Sequence, residues 1–216
     1  MSLIVLEGLD GSGKSTQLPL LEEELKRRGP VRTVSFPDYS SPSSALVKMY
    51  LNGEFGNSPG DVNAYAAGAF YAVDRYASFK KDWQEDYRSG TTILAGRYTT
   101  SNVIYQMEKL PKNCWEEYIA WAEDFEYGRL GLPRPDRVIF LDMPLAAAQK
   151  LLSKRYEGHE ERRDLHERDV RFLESCAMCA RFAADRLKWR VIECAENGEP
   201  LSVGEIHCRV VSALDM

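Results

Sequence analysis

Long apolar runs are missing from this chain. No stretch approaches the roughly 20 residues a helix needs to cross a bilayer. The N-terminus leads straight into "LIVLEG", a strand-like opening, so neither a spanning segment nor a signal peptide is expected. Positive charge is not in excess: 28 Lys and Arg face 33 Asp and Glu, for a formal charge of −5. That balance argues against a duplex nucleic-acid binder and leaves room for a small anionic ligand held by locally concentrated positive charge. Cysteine is scarce, five in 216 residues, and an odd count favours a reducing, cytoplasmic setting over a disulfide framework. Cys176 and Cys179 form a CxxC, yet no second CxxC and no HxxxH accompanies it. The pair therefore reads as small buried hydrophobes in preference to half a zinc site. With 44% apolar and 28% charged residues, the chain has an ordinary globular composition and enough length for a substantial core. No repeat or linker divides it, so residues 1–216 read as one domain.

What is present begins near the N-terminus. "GLDGSGKS" satisfies G-x-x-x-x-G-K-[ST] through Gly8, Gly13, Lys14 and Ser15. It follows an apolar run at 3–6, a buried strand, and precedes Leu18, Leu21 and Leu25 at helical spacing. In such a unit glycines let backbone N–H groups converge on phosphate oxygens, and the helix N-terminus adds its dipole. Lys14 would reach the β- and γ-phosphates and Ser15 would ligate Mg2+. A flexible turn would account for the glycines, but not for the Lys-Ser pair or its placement. Gly8, Gly11, Ser12, Gly13, Lys14, Ser15 and Thr16 are therefore read as a cradle for a triphosphate. Pro19 should kink the second turn of the helix that follows.

Further strands are expected at 32–36, 91–95, 137–141 and 190–194, with helices between them, which argues for a parallel sheet covered on both faces. One helix is expected at about 43–51. A long one, capped by Asp61, is striped by Val62, Tyr65, Ala69, Val73, Tyr76, Trp83 and Tyr87. Another is striped by Trp115, Tyr118, Ile119, Ala122 and Phe125. On the long helix Tyr71 and Arg75 are four apart and share a face. They are either a core tyrosine beside a surface arginine, or a ring and a donor placed to hold a base. Arg97 follows a strand's C-terminal end, where ligands gather in open α/β sheets, and its fork suits a phosphate. Asn102 and Tyr105, taken alone, are a plain helical pair. Residues 154–168, "KRYEGHEERRDLHER", are nearly devoid of apolar side chains. They form a solvated loop or, through Arg155, Arg162, Arg163 and Arg168, a closing segment that neutralises charge during phosphoryl transfer.

"EGLDGSGKST", "FPDY", "FYAVDR", "GRYTTSNVIYQ", "LPRPDRVIFLD" and the charged segment near Arg155 come in an order that resembles thymidylate kinases nearly end to end. The resemblance implies a P-loop NTPase fold: a five-stranded parallel sheet with helices on both faces and a mobile arginine-rich lid at about 154–168. It implies ATP as phosphoryl donor, dTMP as acceptor, Mg2+, and a homodimer in which the long helix could serve as the interface. Tyr71 and Arg75 would hold thymine, with Asn102 on the ring edge and Tyr105 crowding out a ribose 2′-hydroxyl. Arg97 would grip the acceptor phosphate with Ser101 beside it, and Phe36 and Tyr39 would flank the pocket. The implied catalytic set is Lys14, Arg97, Asp10 and a lid arginine, Arg155 first and Arg163 second. Ser15, Asp10 and Glu167 are the implied metal residues. Gly96 stands where the family usually has an aspartate that holds Mg2+ through water, which leaves Asp10, Asp142 or Glu167 for that task. Asp38 and Leu165 stand where arginine is found in relatives. Two other readings stay open: a related nucleoside or nucleotide kinase with a shifted acceptor, and a nucleotide-binding protein that has lost catalysis.

Overall fold

The computed structural model describes residues 2–155, 165–166 and 169–214, with Lys154 and Arg155 described only as helix backbone. Five strands, β1 (Ser2–Gly8), β2 (Val31–Ser35), β3 (Thr92–Gly96), β4 (Arg137–Asp142) and β5 (Arg190–Glu193), run parallel in the order β2-β3-β1-β4-β5. The helices are α1 (Lys14–Lys26), α2 (Ala45–Leu51), α3 (Ala64–Ser78), α4 (Gln84–Arg88), α5 (Thr99–Tyr105), α6 (Trp115–Glu123), α7 (Leu145–Arg155), α8 (Val170–Arg186) and α9 (Val203–Ser212). Alternation along the strands feeds two cores. Leu3, Val5, Ile93, Ala95, Val138 and Phe140 pack with α5, α6 and α8 on one face, while Ile4, Leu6, Leu94, Ile139, Leu141 and Ile192 pack with α1, α7 and α9 on the other. Apolar residues on both sides are what a parallel sheet buried between helical layers requires. A two-stranded hairpin, β6 (Ala195–Glu196) with β7 (Glu199–Pro200), was not expected. Asn197 and Gly198 turn it with φ of 51° and 83°, the conformation an Asn-Gly hairpin turn demands. Among the described residues no helix is long and apolar enough to cross a membrane.

Two helical expectations need correction. The cap of α3 is Asn63, whose side chain accepts from the Ala66 N–H at 2.9 Å. Asp61 instead accepts from the Ser58 N–H in the short 3-10 turn before it. The apolar stripe holds only in part: Trp83 is buried and Val62, Tyr65 and Tyr87 pack against the cores, whereas Val73 is 49% and Tyr76 38% exposed. The inner face carries Ala64, Ala67, Gly68, Ala72, Arg75 and Ser78. At Gly68 the missing side chain makes room for the Tyr118 hydroxyl and the Trp121 ring, which reach across from α6. Beyond α3 the chain winds into a π-helical stretch, Phe79–Trp83. Its wider turn shifts the phase, so that Phe79 and Trp83 both reach the core. Helix α1 runs unbroken through Pro19, which is exposed, as is Ser15, whose carbonyl loses its helical donor.

A Cβ added at Gly68 would lie 2.8 Å from the Tyr118 hydroxyl and 3.3 Å from the Trp121 ring. Gly68→Ala should therefore lower stability by about 1–3 kcal/mol through overpacking, despite alanine's better helix propensity. A urea midpoint equal to or above that of the unsubstituted protein would contradict this close approach.

Candidate active site

Outside the carboxyl ends of β1, β2 and β3 a cleft of about 600 Å3 opens between the glycine-rich loop, α3 and α5. It lies where strand order reverses about β1, the usual ligand crevice of such sheets. The loop residues Asp10, Gly11, Ser12, Gly13, Lys14 and Ser15 line one end. Phe36, Tyr39, Tyr71, Arg75, Arg97, Ser101, Asn102 and Tyr105 line the rest. Gly8 and Thr16 are not among the lining residues: Gly8 ends β1 beneath the loop, and Thr16 is exposed on α1. Asp142, at the end of β4, pairs with Arg181 at 3.3 Å and does not line the cleft.

The loop's shape depends on two glycines. Gly13, which caps α1, has φ of 89°, and Gly11 has φ of 78° with a Cβ position that would collide with the Ala148 carbonyl of α7. Lys14 folds back over the loop, and its Nζ donates to the Gly8 and Leu9 carbonyls at 2.5 and 2.7 Å. The ammonium is thereby held at the loop's rim, where a phosphate chain would meet it.

Beyond the loop, Arg97 follows β3 with φ of 66°, a left-handed conformation rare for a residue with a Cβ. Its guanidinium pairs with Asp10, approaches Glu7 at 3.7 Å and lies 5.1 Å above the Tyr105 ring. Tyr105 in turn donates its hydroxyl to Asp10 at 2.9 Å. Burial would raise the Asp10 pKa, but Arg97, Lys14 and the Tyr105 hydrogen bond outweigh it and hold the carboxyl at about 2. Glu7 was not anticipated as a site residue. It is fully buried and accepts from the Gly8 N–H at 2.9 Å, from Thr100 at 2.6 Å and from Ser101 at 2.8 Å, tying the loop to the start of α5.

At the far end Arg75 is 1% exposed rather than a surface residue. Glu126, from a second π-helical stretch (Asp124–Arg129), takes its Nε and Nη2 at 2.6 Å each. Asn102 donates to Glu126 at 2.8 Å and to the Gly68 carbonyl at 3.1 Å. Two further cleft residues escaped the sequence reading. Gln106 is buried and its Oε1 has no partner among the described residues. His166 stacks on Tyr105 with ring centres 5.5 Å apart and meets the Tyr50 hydroxyl at 2.8 Å.

The family model for thymidylate kinase matches residues 6–203. The chain belongs to the thymidylate kinase family. It is 32% identical over 200 residues to the thymidylate kinase of Mycobacterium tuberculosis, covering 88% of this chain and 90% of that one. With the thymidylate kinase of Homo sapiens it shares 30% identity over 161 residues, covering 74% and 69%. A solved thymidylate kinase from Candida albicans superposes with a TM-score of 0.74 over 99% of this chain and 91% of that one, at 22% identity, and so shares the fold.

At Gly96, the position where the family resemblance implies an aspartate, a neighbouring side chain fills the space. A Cβ there would lie 3.0 Å from Leu18 Cδ2 and 3.4 Å from Ser35 Oγ. The methyl end of Leu18 occupies the room, while the backbone at Gly96 is not in the left-handed region. Leu165 joins a small apolar cluster with Val47, Tyr50, Leu51 and Ala67. Arg155 ends α7, and Arg162, Arg163, Glu167 and Arg168 lie outside the described residues, as does most of the expected lid.

Burial, reinforced by the neighbouring Lys109 and Arg97 and opposed by Asp10, pushes the His166 pKa down to about 3. In the unfolded chain imidazole takes a proton below about pH 6.5. The unfolded state then binds a proton that the folded state refuses, so stability falls as pH drops from about 6.5 towards 3, by about 1.4 kcal/mol per unit. Urea unfolding at pH 7.5 and 5 should show the unsubstituted protein losing about 2 kcal/mol more than His166→Gln. Parallel losses would contradict a neutral, buried His166.

Proposed function

We propose that this protein transfers the γ-phosphoryl group of ATP to dTMP, giving dTDP and ADP, in the cytoplasm and with Mg2+. The observation that carries the reading is the continuity of one cleft, from the glycine loop past Arg97 to the wall made by Tyr71, Arg75 and Asn102. ATP phosphates would take the loop N–H groups and Lys14, and the acceptor phosphate would meet Arg97. Because that phosphate is already a nucleophile, positioning and charge neutralisation supply the catalysis and no strong base is needed. Tyr105, gripped by Asp10, Arg97 and His166, presents a rigid ring against the sugar and leaves little room for a 2′-hydroxyl.

The donor set fits magnesium. Ser15 and Asp10 offer hard oxygens at the loop end of the cleft, and Asp10 stays ionised down to about pH 2. When bound there, the ion would supply positive charge that neutralises the ATP phosphates. The arginine that neutralises the transferring group is assigned to the 154–168 segment, Arg155 first, because the helix ending there lines the cleft through Leu151 and Leu152. A second copy of the chain would cover the outward stripe of α3, where Val73 and Tyr76 are exposed.

A coupled ADP-release assay across the nucleoside monophosphates tests the reading: dTMP should be the preferred acceptor. Lys14→Ala should lower turnover at least about 100-fold with an unchanged circular dichroism spectrum. Nucleotide binding without transfer to any pyrimidine monophosphate would overturn the kinase assignment. Gly96→Asp, accommodated by a small movement of Leu18, should lower the magnesium concentration for half-maximal rate by about tenfold or more, as carboxylates around a metal site do. An unchanged magnesium titration would show that Gly96 is not where the metal is served.

A further inference from the structure

Hydrogen-bond inventories at the far end of the cleft can be closed. An amide nitrogen has two hydrogens, and Asn102 spends both, on the Gly68 carbonyl at 3.1 Å and on Glu126 Oε1 at 2.8 Å. What Asn102 can offer a ligand is therefore Oδ1, an acceptor. Turning the amide over would press that oxygen against two acceptors in a site where Asn102 is 2% exposed, which is costly. Arg75 gives Nε and Nη2 to Glu126 at 2.6 Å each and has no acceptor atom. Its Nη1 makes no hydrogen bond among the described residues and remains a donor. Glu126 also accepts from Thr99 at 3.1 Å. It is itself fully buried and does not line the cleft, so it acts through its neighbours.

We propose that Glu126 is a positioning residue that sets the hydrogen-bond polarity of the base-binding wall, fixing the Asn102 amide with its oxygen outward as an acceptor and holding the Arg75 fork so that Nη1 is the donor turned to the ligand. The wall then matches a pyrimidine edge that carries N3–H beside a 4-oxo group. The cytosine edge, an N3 lone pair beside a 4-amino group, meets acceptor with acceptor and donor with donor. Selection of the 4-oxo pyrimidine thus depends on a carboxylate that never touches the base. This inference rests on the reading of the cleft as the acceptor-nucleotide site.

The test compares kcat/KM for dTMP and dCMP in the unsubstituted protein and in Glu126→Gln. A glutamine can donate to Asn102 Oδ1 and so removes one of the two constraints on the amide, leaving the Gly68 carbonyl as the other. The dTMP-to-dCMP ratio should fall by about tenfold or more, chiefly through a higher KM for dTMP, with kcat for dTMP and KM for ATP within about threefold. An unchanged ratio, or a loss shared equally by both substrates, overturns the proposal. Should Glu126→Gln fail to fold, Glu126→Asp is read by the same criteria, since its shorter carboxylate cannot hold both Arg75 and Asn102. The unsubstituted protein supplies a check of its own. Both side-chain amide protons of Asn102 should resist exchange with and without dTMP, and release of either on binding overturns the proposal. An unsubstituted protein that phosphorylates no pyrimidine monophosphate would instead sink the acceptor-site reading, a separate outcome.

Discussion

Arg75 and Glu126 meet through two hydrogen bonds of 2.6 Å with their side chains 2% and 1% exposed. Charges that deep are tolerable only when the geometry is good and the remaining lone pairs are occupied, and here Thr99 and Asn102 occupy them. The pair constrains everything around it. Helix α3 brings Arg75 inward on a face made mostly of small residues, while Val73 and Tyr76 turn outward. The chain after α6 must widen into a π-helical turn that carries Glu126 into the interior. Loss of either partner would leave an uncompensated charge, which is why the pair reads as architecture for a ligand wall rather than as a source of stability.

A second charged cluster organises the opposite end. Asp10 from the loop, Arg97 from the end of β3 and Tyr105 from α5 are joined by an ion pair, a hydrogen bond and a ring contact, with Glu7 holding Ser101 and Thr100 beneath them. Parallel pairing of β1 with β3 makes this possible, because it brings Leu6 beside Gly96 and so sets the loop and Arg97 on the same side. The left-handed backbone at Arg97 persists in that setting, as strained residues do where their surroundings over-determine them. The two clusters stand at opposite ends of one cleft, and in the proposed reading the acceptor's phosphate would lie near Arg97 and its base near Arg75.

The strands were legible because each carries apolar residues for two cores, and the phosphate loop because glycine, lysine and serine occur together at a spacing few other structures need. Residues 3–6, 137–141 and their neighbours were found within a residue or two. The stripe over 62–87 holds at Tyr65 and Trp83 and fails at Val73 and Tyr76, because in the middle of α3 burial follows small residues and Arg75. Glu126 escaped since "AEDFEYGR" looks like a solvated helix end, and only a π-helical turn aims that carboxylate inward. His166 was hidden by the charges of "RRDLHER", although its ring packs between Tyr105, Tyr50 and Phe172. The Asn197-Gly198 turn carries a hairpin signal, but the strands beside it are two residues each, too short for an alternating pattern.

The central claim is that one cleft aligns a 4-oxo pyrimidine nucleotide between the Arg75–Asn102 wall and Arg97. A crystal structure of the protein with dTMP tests it most directly. The account predicts N3 of the base within hydrogen-bond distance of Asn102 Oδ1, O4 on Arg75 Nη1, and the phosphate on Arg97, with the Glu126 contacts unchanged. A base bound elsewhere, or an Asn102 amide that presents its nitrogen to the ring, would contradict it.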